Sequence, residues 1–552
     1  MPEAVPDGHY RSDACRSPSA WRLARLLRSA SLILACVSGA VRAGAQLPPT
    51  PPPLVNTEDA RTLPKGGVQL RVLNVWTLFD QVFDRTADSA HPLHPLGQAF
   101  SAESLGVRQF PGLVATQNAL RTLTGNPNLS LNLGQQFSTV NTRVVTTPIS
   151  LAYGVTDRLT IAAMLPIVQT HSTVFVELNP RRLNGATGAN VGPYPSSAAA
   201  TNQALLQSLT DASTALNDYI TNCSQSGSCS ASSVAEAQQL KATTDSYLAA
   251  AQVLYGTNSQ FAPRGAAQAQ IDAQLSALEQ SIQALLGTSF TFTAAGANGD
   301  AALQQLQQLA TANPGVAFDS IGSPDQIGTG NIELSALFKL TDSFADTTSS
   351  FRLRATISGL VRLPTGFGPS GGLAYEVGTG TGQTSVDGGG ILDVGIGRRL
   401  MATLSAEYTA YLTSSSVPRM PNSDYALFPL QEAAAGTWRE GNALQLQATP
   451  RIRFTDFFTV NGAYMMRHQN ASQYTSPNVS GPPVILATTE QNVGLGFSYS
   501  AVARYAPGRS PLPIEMTYMH LETIAASGGL VPKYNRDMVE VRIYYRLFRR
   551  GR

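Results

Sequence analysis

The stretch YGVTDRLTIAAMLPI, Tyr153 to Ile167, decides the fold. An aromatic and a β-branched residue run into Thr156-Asp157, and apolar residues then resume at every second position from Leu159. The arrangement returns in FKLTDSF (338–344) and IRFTDFF (452–458). Thr and Asp side chains hydrogen-bond nearby backbone groups, so a chain reverses on them in few residues. Each Thr-Asp pair therefore reads as a tight hairpin turn, with a structural role and no chemistry of its own.

The flanking segments alternate over long runs. In FRLRATISGLVRL (351–363), Phe351, Leu353, Ala355, Ile357, Val361 and Leu363 share one face, and Arg352, Arg354, Thr356, Ser358 and Arg362 the other. ATLSAEYTAYLT (402–413) and LQLQATPRIRF (444–454) sort in the same way. Successive side chains of a strand point to opposite faces, so these are strands with one apolar and one polar face. The pattern places twelve strands near 66–80, 136–154, 158–177, 329–340, 350–365, 380–395, 400–414, 442–454, 458–469, 489–505, 513–524 and 536–548.

A soluble sandwich also alternates. These strands run about 10 to 16 residues, whereas soluble strands average about 5 or 6 and a tilted membrane crossing takes about 9 to 11. Aromatics gather at the short-turn ends: Tyr153, Phe338, Phe344, Phe454, Phe457, Phe458, Tyr505 and Tyr545. Short turns follow the even-numbered strands and longer loops the odd-numbered ones, the asymmetry of outer-membrane barrels with both chain ends in the periplasm. The expected fold is all-β: a transmembrane antiparallel up-and-down barrel of about twelve strands with an inserted α-helical subdomain. The last strand, VEVRIYYRLF (539–548), is followed by Arg549, Arg550, Gly551 and Arg552 rather than ending on an aromatic, so the usual barrel-assembly signal is imperfect.

The N-terminus carries an export signal. Arg22, Arg25 and Arg28 precede SLILACVSGAV (31–41), and the small residues Ala43 and Ala45 follow. A basic region, a short apolar region and an A-x-A site make a signal peptide over 1–45. Ile33 fits a lipoprotein reading of Cys36 poorly. Of 38 basic and 36 acidic residues, cleavage removes six arginines and three acids, leaving 32 against 33. A near-neutral chain argues against a nucleic-acid partner. The partners implied are outer-membrane lipid and small-molecule solutes. QLPPTPPPLVNTEDARTLPKGG (46–67) has the proline content of an extended, unfolded periplasmic lead-in over 46–65, before barrel strands that begin with 66–178.

Between the third and fourth strands, residues 179–328 change composition toward Ala, Gln, Ser and Thr; barrel sequence resumes over 329–552. IDAQLSALEQSIQALL (271–286) sets Ile271, Leu275, Leu278, Ile282 and Leu285 at 4-3-4-3 spacing, a coiled-coil-like seam. Segment 202–222 carries Leu205, Leu209, Leu216 and Ile220, and 231–254 carries Val234, Leu240, Leu248 and Leu254. Cys223 and Cys229, the two cysteines left after cleavage, stand between these segments. In an exported protein they read as a disulfide stapling a helical hairpin at its tip. Strand parity puts this insert on the extracellular side, where it offers a surface to a partner.

ISLAYGVTDRLTIAAMLPI (149–167), GTGNIELSALFKL (328–340), LVRLPTGF (360–367) and GTGQTSVDGGGILDVGIGRRL (380–400) resemble the outer-membrane barrel family called meta-pathway of phenol degradation proteins. The resemblance runs from about residue 145 to the C-terminus, omitting 180–328. It implies passage of small, often aromatic, compounds and no enzyme activity.

In a barrel the functional surface is the lumen. Arg71, Lys339, Arg352, Arg354, Arg362, Arg451, Arg453, Arg542 and Arg546 alternate inward, as do Glu333, Asp393, Glu407, Glu515 and Glu540, and these are the pore-lining candidates. Two arrangements follow: unpaired arginines facing water favour anions, whereas arginines paired with carboxylates close the lumen. Catalysis has no comparable candidates. The mature histidines, His91, His94, His171, His468 and His520, stand in no recognisable nucleophile context. HPLH (91–94) lacks a third ligand at telling spacing, so a metal site is not expected. GTGTGQ (378–383) lacks the Lys-Ser/Thr ending of a phosphate loop, and no cofactor is implied. The expected function is an outer-membrane channel or uptake porin for small molecules, hydrophobic or aromatic ones included. The alternative is a surface protein whose barrel anchors the helical insert.

Overall fold

The computed structural model of the chain describes residues 59–83, 93–108, 110–178, 188–299, 323–344, 348–368, 375, 377–416, 436–475, 486–502, 513–528 and 531–546. The signal-peptide reading of 1–45, Tyr505 and the C-terminal residues after 546 lie outside them.

Twelve long strands form the barrel: β1 (Gly67–Phe79), β2 (Gln136–Gly154), β3 (Leu159–Leu178), β4 (Glu333–Asp342), β5 (Phe351–Arg362), β6 (Ser385–Ile396), β7 (Leu400–Tyr411), β8 (Ala443–Arg453), β9 (Phe458–Gln469), β10 (Thr488–Ser500), β11 (Ile514–Ser527) and β12 (Asn535–Arg546). Each pairs antiparallel with its sequence neighbours, and β12 returns to β1 in a register that sets Arg71 opposite Arg542. The sheet is closed, so it has no unpaired edge, the condition for backbone to cross lipid. Register follows the alternation: Leu151, Ile161, Leu165, Phe338, Ile357, Leu404 and Leu495 lie on the exposed outer wall. Outward aromatics near the short-turn end make a continuous band, with Phe454–Phe458, Phe458–Phe497 and Phe497–Tyr518 centroids 6.5, 6.0 and 5.4 Å apart. This is a barrel of the bacterial outer-membrane type.

Two of the three Thr-Asp pairs turn the chain as their composition requires, whereas Thr341-Asp342 ends β4 in register with Ala355 and Arg354 and the chain reverses after it. Thr156 Oγ1 accepts from the backbone N–H of Arg158 and Leu159, and Thr455 Oγ1 from those of Phe457 and Phe458. The fourth strand departs from the expected 329–340. A short strand, Asp325–Thr329, pairs with β3, the ladder breaks at Gly330–Ile332, and β4 then runs on to Asp342.

Among the described residues three α-helices stand between β3 and β4: α2 (Ala199–Ser226), α3 (Ala231–Tyr255) and α4 (Gly265–Leu286). The Cys223–Cys229 disulfide closes the tip between α2 and α3. In α2 the buried seam is Asn202, Leu205, Leu209, Ala212, Leu216 and Cys223, with Ile220 only half-buried beside it. In α3 it is Ala237, Thr244, Ala251 and Leu254, while Val234, Leu240 and Leu248 are half-buried. Small residues at seven-residue spacing let helix axes approach, so α3 sits centrally.

A fourth helix, α1 (Val114–Thr124), comes from the loop between β1 and β2 and packs against α3 and α4. Its Leu120 and Leu123 join Leu205, Leu209, Leu254, Ile271 and Leu275 in one core. Backbone and side-chain bonds between Asn132 and Asn190 tie the two loops together. The helical subdomain is thus built by two loops, each supplying what the other cannot bury alone.

Candidate functional site

The lumen has three distinct levels. At the long-loop end, inward Val140 and Val144 of β2 and Val168 of β3 pack with Phe79 and with loop residues Leu96, Tyr375, Val377 and Tyr534. Loop groups bond directly to the wall: Tyr375 Oη lies 3.0 Å from Thr142 Oγ1, and Thr170 Oγ1 donates to the Val377 carbonyl at 3.0 Å. This plug is apolar with polar pins.

Midway, Leu73, Val75, Ala463, Met465, Met519, Leu521 and Met538 form a buried cluster. Glycine on β10 makes room for it. A Cβ at Gly494 would stand 2.8 Å from Leu521 Cγ, and one at Gly496 3.1 Å from the Met519 Cβ. A methionine-lined constriction excludes water yet deforms readily.

Below it, toward the short turns, lies a chamber of about 510 Å³. Its lining includes eight arginines (Arg61, Arg352, Arg354, Arg398, Arg399, Arg451, Arg453 and Arg542) and four carboxylates (Asp59, Asp456, Glu515 and Glu540). Its apolar surface is Leu73, Met401, Met519 and Met538, with Phe344 at the mouth. Phe344 belongs to the short-turn aromatics in sequence, but it does not face lipid. Its ring lies 5.2 and 4.5 Å from the guanidinium carbons of Arg352 and Arg354, and cation–π attraction draws it inside. Gly395 permits this, since a Cβ there would stand 3.2 Å from the ring.

The segment before β1 is not a free lead-in where it is described. It threads into the chamber. The Ala60 N–H donates to Asp393 Oδ2, and Thr356 Oγ1 donates to the Ala60 carbonyl at 2.7 Å. Backbone N–H groups of Leu63, Lys65 and Gly66 donate to Thr160 Oγ1, Asp157 Oδ1 and the Gly154 carbonyl. The Asp157 side chain, read from sequence as turn chemistry alone, thus receives this segment. Across the lumen, Arg61 forks onto Glu515 with two bonds of 2.9 Å and onto Asp59 at 2.7 Å. Burial alone would raise the Asp59 carboxyl, but Arg61, with Arg542 and Arg451, more than reverses it and holds it well below the usual carboxylate range.

The inward residues anticipated from sequence divide into two groups. Arg71 and Arg542 both pair with Glu540, Arg354 with Asp342 and Asp393, Arg362 with Glu333 and Asp387, and Lys339 with Asp342 at 3.7 Å. Arg352 donates to the Gly397 carbonyl at 2.6 Å. Arg451, Arg453 and Glu407 make no side-chain hydrogen bond or ion pair among the described residues. The Arg546 side chain lies outside the described residues. Asp59, Arg61 and Phe344 were not anticipated here. The alternating charge of EDAR (58–61) inside a proline-rich run was the available signal for the first two.

No family model matches the chain, the phenol-degradation family included, and no curated protein matches it. Solved structures match with 9% identity and TM-score 0.38 for an outer membrane channel from Pseudomonas putida F1, covering 89% of this chain and 100% of that one. A toluene transporter from Pseudomonas putida matches with 12% identity and TM-score 0.23, covering 92% and 97%. An autotransporter translocator domain from Neisseria meningitidis matches with 8% identity and TM-score 0.26, covering 87% and 88%. At TM-scores this low the matches set neither family nor function, and the twelve-strand barrel rests on its own strand pairing.

Proposed function

We propose that the chain is an outer-membrane channel for small solutes with an apolar body, closed in this structure at all three levels of its lumen. The observation that carries this is the 510 Å³ chamber inside a closed barrel, its lining part polar and rich in arginine and part apolar, beside a buried methionine-rich cluster. A structural anchor has no use for such a chamber; its lumen is best filled with paired charge or packed side chains. Methionines yield to an apolar solute at little cost, while ions and water are held back. The test is conductance and solute flux of the refolded mature protein in planar bilayers and liposomes. Flux of a small aromatic compound above that of protein-free vesicles supports a channel. A verified folded barrel that passes nothing, with and without residues 46–65, sinks it.

A second reading has its own support. The four-helix subdomain carries a separate apolar core drawn from two loops, more structure than a loop tip needs. In that reading the barrel anchors a surface-binding unit, and a solute-impermeable protein that still binds cells or surfaces through the helices would favour it.

A further inference from the structure

Among the described residues, the chamber lining carries eight arginines and four carboxylates. Of its eight arginines, Arg61, Arg354 and Arg542 are paired with carboxylates. Arg451, inward on β8, makes no hydrogen bond or ion pair among the described residues, although its side chain is only partly accessible. Arg453, Arg398 and Arg399 also make no side-chain hydrogen bond or ion pair among the described residues, but they are exposed, brought together where the Arg453 N–H bonds the Arg399 carbonyl. The Nε of Arg352 is buried without an acceptor. A guanidinium carries five donors and cannot give up its proton, so Arg451, half-buried in the wall, has donors that no described side chain accepts.

The opposite surface does not suit a bare inorganic ion. Leu73, Met519 and Met538 present buried apolar area to the same space. A neutral hydrocarbon would satisfy that surface and leave the arginines unmet. One molecule meets both: a compact apolar body bearing a single carboxylate. The volume falls in the range of small-molecule sites, about 300–1,000 Å³.

We propose that the chamber is a binding site for small organic monoanions, with aromatic carboxylates as the chemical class, the carboxylate seated on Arg451 and the ring against Leu73, Met519 and Met538. This rests on the channel reading and specifies what the channel takes up. A planar carboxylate matches the guanidinium fork with two parallel bonds. Arg453, Arg398 and Arg399, at the mouth, concentrate anions ahead of it.

The experiment is calorimetric titration of the full mature protein in detergent, at fixed ionic strength, with benzoate, benzyl alcohol and sulfate. Saturable benzoate binding, weaker by about tenfold or more for benzyl alcohol and for sulfate, is the expected result. Arg451→Gln should weaken benzoate by about tenfold or more, and Arg451→Lys should recover part of the loss. Circular dichroism confirms that each variant is a folded barrel. Equal affinity for benzoate and benzyl alcohol, equal affinity for benzoate and sulfate, or an unchanged affinity in folded Arg451→Gln each overturns the proposal. Flux is measured separately in liposomes, so benzoate that binds without crossing rejects the channel and keeps the site, and benzoate that crosses without binding rejects the site.

Discussion

Substituting Arg61 by alanine should open the periplasmic end of the barrel. Arg61 is the main side-chain tie of the described N-terminal segment to the far wall: two bonds of 2.9 Å reach Glu515, and a contact of 2.7 Å holds its own neighbour Asp59, which itself stands 3.9 Å from Arg542. A hydrogen bond to a charged group contributes roughly 1.5–3 kcal/mol. The Arg61 side chain is 40% exposed, which screens these contacts and keeps their sum near the lower figure. Glu515 also keeps the Tyr544 and Ser500 hydroxyls as donors, so its carboxylate is not orphaned. About 2 kcal/mol off the inserted state shifts its population by a factor of roughly 30. In single-channel recordings of the mature protein, Arg61→Ala should raise the frequency of open events by about that factor, and deletion of 46–65 should raise it at least as far. Glu515→Gln should act in the same direction and more weakly. Recordings in which Arg61→Ala and the deletion both match the wild type would refute the latch, because the deletion also removes Asp59 and its contact with Arg542.

The same segment gives a pH expectation. The Asp59 value is depressed by its arginines, so its contribution is fully present above the ordinary value of 3.8 and is lost only as pH falls toward the folded-state value. Open-event frequency should therefore stay flat from about pH 8 to about pH 5 and rise only in stronger acid; a rise at about pH 6 would assign the latch to another group. Reducing the Cys223–Cys229 disulfide, or Cys223→Ser, should lower the stability of the α2–α3 hairpin by about 2 kcal/mol, read as an earlier helical melt at 222 nm with the barrel signal unmoved. Leu120→Ala, fully buried on α1, should cost about 2–4 kcal/mol and expose α2–α4 to limited proteolysis, although α1 belongs to a different loop. Cutting out 188–299 alone should leave α1 and its leucines uncovered and the protein aggregation-prone, whereas removing 110–133 as well should not.

Strands and turns were legible because each encodes itself locally. Phe351 and Arg352 declare opposite faces by being neighbours, and Thr156 closes its turn on residues two and three positions away. The α4 seam was legible for the same reason, since Ile271, Leu275, Leu278 and Ile282 repeat within one helix. What stayed hidden depends on partners far along the chain. Helix α1 is eleven residues in a loop, and its buried set of Gln117, Ala119, Leu120, Leu123 and Thr124 makes sense only against α3 and α4. In α3 the packed positions before Leu254 are alanines and a threonine, so of the large apolar residues chosen Val234, Leu240 and Leu248 fell on the flanks and Leu254 in the core. The inserted N-terminal segment has no periodicity at all. Ala60 is buried by Thr356 and Asp393, about 300 residues away, through backbone bonds that any residue could make.

Pairing in the lumen is uneven around the barrel, and that decides where a solute can pass. On one side Arg354, Arg362, Glu333, Asp342, Asp387 and Asp393 of β4, β5 and β6 are knitted together. On another, Arg71, Glu540 and Arg542 of β1 and β12 are likewise paired. These pairs join neighbouring strands along the wall and use the arginines' donors there, leaving none for a solute. The wall from β7 to β10 is different: Gln447, Thr449, Asn461 and Ser498 are short neutral groups, and the cations among them, Arg451 and Arg453, bind nothing on the wall. This sector ends upward at Ala463, Gly494 and Gly496, small residues against which Met519 and Leu521 pack closely. The proposed path therefore follows β7–β10 from the unpaired arginines to the methionine constriction, and substitutions there should change which solutes pass, whereas substitutions among the paired charges of β4–β6 should change stability first.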